Sequence, residues 1–79
     1  MRNLVSVRPQ GADWLVEAEL PGFPRSFASG ARAEQAAVLH AQEQAAQGNP
    51  TEVRLFLRDG SLAGRFLVCG PDRRLALAS

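Results

Sequence analysis

Alternation of apolar and polar residues defines most of this chain. Val5 and Val7 share one parity within Leu4 to Arg8, which predicts a short strand closed by a Pro9-Gln10-Gly11-Ala12 turn. Trp14, Val16, Ala18 and Leu20 then alternate with Leu15, Glu17 and Glu19. This period of two predicts a second strand, with Trp14 at the head of its buried face. Pro21-Gly22-Phe23-Pro24 interrupts it, because proline lacks the N–H that a ladder needs, and leaves Arg25 to Ala28 as a short third strand.

From about Ala31 to Gln47 the pattern becomes helical. Ser29 is suited to the N-cap, and Gly48 followed by Asn49-Pro50 stops the helix. Ala33, Ala37, Ala41 and Ala45 form one row, whereas Val38, Leu39 and Ala46 lie to either side of Gln35 and Gln42. Alanine's helix propensity carries this segment more than its amphipathicity does. Small side chains let a helix lie close to a sheet or to another helix, and packing on its own sheet is the preferred reading.

Two further alternating runs, Val53 to Arg58 and Ser61 to Val68, are joined by Asp59-Gly60. This is a strong hairpin signal, since glycine takes the positive φ that a tight two-residue turn requires. Val53, Leu55, Leu57, Leu62, Phe66 and Val68 are assigned to the core, and Arg54, Phe56, Arg58 and Arg65 to the outer face. Gly64 marks a bulge or kink. Asp72 to Ser79 shows no pairing signal and is read as a mobile tail. The expectation is one α+β domain over residues 1–70 and a flexible tail over 71–79. Its sheet is antiparallel, with elements in the order β-β-β-α-β-β and one helix packed on one face.

Composition narrows the partners. At 79 residues the chain is near the lower size at which one core folds unaided, and much of its 46% hydrophobic content is alanine, so a thin core is expected. A net charge of +1 provides no strong field for a polyanion. All nine basic residues are arginine, which fits GC-rich coding as well as any demand for bidentate donors. After Gly48, five arginines stand against three carboxylates. The single cysteine, Cys69, argues against a disulfide scaffold or a zinc site and fits a reducing cytoplasm. No apolar run has signal-peptide character or transmembrane length, so a soluble, unprocessed chain without a membrane partner is expected.

Candidate chemistry is sparse. His40 lies mid-helix among alanines, with no motif supplying a nucleophile or carboxylate, and is read as a partly exposed helix residue. Cys69 near a strand end is read as a small apolar residue. Glu17 and Glu19 project together as glycosidase carboxylates would, but solvation of the outer face and pairing with arginines is the preferred role. No catalytic, cofactor-binding or metal set is assigned. The candidate partner-binding group is Arg54, Phe56, Arg58 and Arg65, an aromatic flanked by guanidinium groups. Such a group could anchor a protein, or stack an unpaired base while arginines meet phosphate. The expectation is a non-enzymatic interaction module with a protein partner or self-association; weak binding of single-stranded nucleic acid is an alternative.

Two resemblances add to this reading. Trp14-x-Val16, the alanine-spaced helix and Arg58-Asp59-Gly60 resemble a family of small bacterial proteins of unknown function that share a W-x-V strand, a capped Ala-rich helix and an R-D-G hairpin. That resemblance spans about Val5 to Val68 and implies a fold but no activity. Over Asp13 to Gln47, Trp14-Leu15-Val16-Glu17, then Glu19-Leu20-Pro21-Gly22 and the Ala-rich helix, the chain is also similar to the partial RNase-H-like domain of HicB-type antitoxins. This second resemblance implies an inhibitor that packs beside a small ribonuclease toxin. The chain departs from that pattern after Gly48, where no evident helix-turn-helix or ribbon-helix-helix segment follows.

Overall fold

The computed structural model describes residues 3–70 and 73–77. Along the chain these form β1 (Asn3–Gln10), β2 (Asp13–Ala18), β3 (Arg25–Phe27), α1 (Gly30–Ala46), β4 (Thr51–Phe56), β5 (Leu62–Gly70) and β6 (Arg73–Ala76). The first hairpin turns at Gly11, whose φ of 61° suits glycine, and pairs Val5 with Ala18, Val7 with Val16 and Pro9 with Trp14. β3 adds antiparallel to β2, with Trp14 opposite Phe27.

The helix then sets the topology. It carries the chain back across one face, so the next strand runs in the direction of β3 and β1. β4 therefore joins β1 in parallel, with Val5 opposite Val53 and Val7 opposite Leu55. The six-stranded sheet has the order β3-β2-β1-β4-β5-β6. The expected α+β class with one helix on one face holds, but the sheet is mixed rather than purely antiparallel.

Local chemistry explains the helix boundaries. Ser29 is extended, and its Oγ accepts the Arg32 N–H at 3.2 Å. At the other end Gly48 takes a φ of 89°, its N–H donating to the Ala45 carbonyl while the Asn49 N–H donates to that of Gln44. Ala33, Ala37, Ala41 and Ala45 are buried, as the alanine row predicts, and lie against a layer of Val5, Val7, Val16, Val53 and Val68. Each of those valines contributes at least about 1.5 kcal/mol of burial. Trp14, Phe23, Phe27, Leu55 and Phe66 close the margins of this thin core, half-buried.

Several sequence expectations need correction. Trp14, expected at the head of a buried face, is only half-buried and lies beside Gly30 at the start of the helix. The second hairpin does not use a two-residue turn. The Leu57 N–H donates to the Ser61 carbonyl at 2.9 Å, enclosing the loop Arg58-Asp59-Gly60, and the positive φ falls on Gly60 alone, at 87°. Asp59 Oδ1 accepts from both the backbone N–H and the hydroxyl of Ser61, which holds its carboxyl below the usual carboxylate range. Leu57 consequently leaves the ladder and is 50% exposed instead of entering the core. The register shifts next to Gly64: Leu55 faces Gly64, but Phe56 faces Leu62. This bulge, expected at Gly64, places Leu62 opposite an outward residue.

The remaining correction concerns the tail. Arg73–Ala76 is an edge strand, with Leu67 opposite Leu75 and Val68 opposite Arg74. The Arg74 guanidinium lies 4.2 Å from the Phe66 ring centroid, so side-chain stacking supplements the ladder. The rest of the expected flexible segment, residues 71, 72, 78 and 79, lies outside the described residues.

Candidate functional site

Strand parity builds a second face opposite the helix. β1 contributes Leu4, Ser6 and Arg8; β4 contributes Glu52, Arg54 and Phe56; their neighbours are Leu15 and Glu17 on β2 and Arg65 and Leu67 on β5. One cross-strand row reads Glu17, Ser6, Arg54, Arg65, and the next reads Leu4, Glu52, Leu67, Leu75. Among the described elements α1 contacts β1 through β5 but not β6, and all of its packing is on the valine face. Leu4 at 41% and Leu75 at 45% exposure remain in solvent.

The structure unites part of the predicted group. Arg54 and Arg65 are directly opposed, an arrangement that would be repulsive alone. Glu52 resolves it: its Oε2 accepts from Arg54 Nε at 2.5 Å and lies 3.7 Å from Arg65 Nε. Although Glu52 is on the face away from the helix, only 5% of it is exposed. Phe56 is beside this cluster, with the Arg8 guanidinium 5.8 Å from its ring centroid. Arg8 also meets Glu17 at 2.8 Å, the cross-sheet pairing expected of that carboxylate.

Arg58 is absent from the cluster. It sits in the three-residue loop, where its Nη1 donates to the Gly11 carbonyl at 2.8 Å and its guanidinium stacks 5.8 Å from the Trp14 ring. It therefore ties the two hairpin turns together at one end of the sheet. Glu52 and Arg8 are the residues that sequence reasoning left out of the group. The signal was present in the parity of Glu52-x-Arg54-x-Phe56 and of Leu4-x-Ser6-x-Arg8. Their adjacency, however, depends on the parallel β1–β4 register.

His40 occupies a different place, on the helix where two clefts of about 580 Å³ meet beside Leu20. Its ring centroid is 4.7 Å from that of Phe23, and its Nε2 is buried with no hydrogen-bond partner. Burial lowers its pKa from the usual imidazole value, an effect that nearby Glu43 partly offsets. Cys69 is a half-buried free thiol on β5. Among the described residues no group of three His, Cys, Asp or Glu side chains converges as metal ligands would. No described helix is long and apolar enough to cross a membrane.

No protein-family model, curated protein or solved structure matches this chain.

Proposed function

We propose that this chain is a non-enzymatic interaction module that uses the helix-free face of its sheet, with self-association as its first mode. The observation that carries this reading is the imbalance of layers: among the described residues one 17-residue helix serves six strands, and nothing covers the opposite face. That face combines Leu4, Leu15, Phe56, Leu67 and Leu75 with paired charges, the mixture of apolar anchors and polar surround found where proteins meet. A protein contact fits better than a nucleic acid. Among the described residues of this face, Arg54 and Arg65 share Glu52 and Arg8 lies by Phe56 and Glu17, so carboxylates offset part of its positive charge toward phosphates, and Arg58 is elsewhere.

Sedimentation of the chain over increasing concentration, beside titration with single-stranded RNA at about 50 and about 500 mM salt, tests this reading. The expected result is a mass that rises with concentration, is reduced by Phe56→Ala and is accompanied by no RNA binding. RNA binding that collapses at high salt, or a mass that neither concentration nor Phe56→Ala alters, would count against it.

The antitoxin-like reading has one observation of its own. β2, Leu20-Pro21-Gly22, β3 and α1 follow one another as the strand, Leu-Pro-Gly, strand and helix of that resemblance do. Its partner would be a small ribonuclease, and a gene for one adjoining the gene of this chain is the observation to seek.

A further inference from the structure

We infer that the helix-free face docks a second copy of this chain, sheet against sheet, about a twofold axis that runs parallel to the strands between β1 and β4. This rests on the interaction reading above and specifies its partner and geometry. The row Glu17, Ser6, Arg54, Arg65 crosses β2, β1, β4 and β5, so β1 and β4 are its centre. Its acidic residue lies on one side of that centre and its basic residues on the other. Rotation about the stated axis exchanges the two sides while reversing the face. Glu17 of one copy then meets Arg65 of the other, and Ser6 meets Arg54, at two symmetry-related places.

In the row of Arg8 the apolar positions agree with the same operation, whereas in the row beyond Ser6 it sets Leu4 of one copy over Glu52 of the other. Leu15, which follows Arg8 in the neighbouring row, comes opposite Leu62, the residue that the bulge brings beside Phe56. Arg8 comes opposite Phe56 of the second copy, the same pairing of cation and ring that the two residues make within one chain. A twofold axis that passes through the same row but perpendicular to the strands would instead lay β2 on β2 and β5 on β5. That arrangement sets Glu17 near Glu17 and Arg65 near Arg65, so charge selects the first axis.

The area is adequate. Six strands at about 4.8 Å spacing and five residues at about 3.3 Å rise give on the order of 400 to 500 Å² in plan. Side-chain relief raises the accessible surface toward the roughly 800 Å² per partner of a standard interface. The four residues of the charged row are half-buried, not fully enclosed, and are accessible to a partner.

Charge reversal provides a specific test. Glu17→Arg opposes Arg65 twice in a homodimer and should weaken association at least about tenfold by sedimentation; Arg65→Glu opposes Glu17 twice and should do the same. An equimolar mixture of the two variants restores both contacts and should recover the dimer. Because Arg65→Glu also sets a carboxylate near Glu52, circular dichroism must show it folded, and a second measurement avoids that residue. In a Cys69→Ser background, Ser6→Cys should cross-link across the interface with a bismaleimide of about 10 Å reach, the spacing of packed sheets. A dimer that survives both reversals and yields no cross-link would overturn this arrangement while leaving self-association standing. A monomer at all concentrations up to about 1 mM would overturn both.

Discussion

Gly30 lies directly against the Trp14 indole: a Cβ on Gly30 would stand 3.1 Å from Cε2 and 3.2 Å from Cζ2 of the ring. The first residue of the helix and the head of the buried β2 face therefore share one van der Waals contact. The same ring is flanked on another side by Arg58 and faces Phe27 across the sheet. These neighbours hold it on two sides, and a cleft of about 190 Å³ lined by Val7, Gly30 and Leu55 borders it. Gly30→Ala should cost about 1 kcal/mol despite alanine's better helix propensity, and Gly30→Val more, because displacement of the ring outweighs the backbone gain. Urea denaturation followed by tryptophan emission checks this; a stabilised Gly30→Ala would show that the ring yields freely.

The alanine row sets the distance between layers. Ala37 and Ala41 are fully buried against the valines of the sheet. Ala37→Leu or Ala41→Leu should destabilise the fold by about 1 to 3 kcal/mol through overpacking. By contrast, Leu39→Ala, at a position 56% exposed, should change stability by less than about 0.5 kcal/mol. Equal effects at the two kinds of position would contradict the assigned helix face.

His40 makes stability depend on pH with a defined sign. Its folded pKa is depressed, so the unfolded chain takes up a proton first as pH falls. Its contribution is complete above the ordinary imidazole range near pH 6.5 and declines as pH drops from there to the folded pKa. This is the chain's single histidine, so His40→Gln should remove that component. Urea midpoints of the two proteins from about pH 7.5 to about pH 5 should converge toward acid if His40 stabilises when neutral. Parallel curves would show that its burial has no energetic consequence.

Glu52 holds two opposed arginines together. Glu52→Gln should cost about 1 to 3 kcal/mol, below the full penalty for breaking a buried ion pair because both arginines reach solvent. Adding Arg65→Gln should recover part of that loss by removing the repulsion with Arg54. A double-mutant cycle measures this coupling, and strict additivity would mean that Glu52 and Arg65 act independently.

Local chemistry alone determined much of this protein. Ser29, the alanine row and Gly48 specify a helix with its ends and buried face, because capping, propensity and i,i+4 spacing act within a few residues. The parity of Val5, Val7, Trp14 and Val16, and the positive φ at Gly60, were legible for the same reason. Only the tertiary structure decided that β4 lies parallel to β1, that the hairpin takes a three-residue loop and a bulge, and that Arg73–Ala76 becomes a strand. Parity gives the face on which a side chain stands but not its neighbour on the next strand. Arg54, Phe56 and Arg65 could thus be assigned to one face from the sequence, whereas their association with Glu52 and Arg8, and the departure of Arg58 toward Gly11 and Trp14, required the inter-strand register.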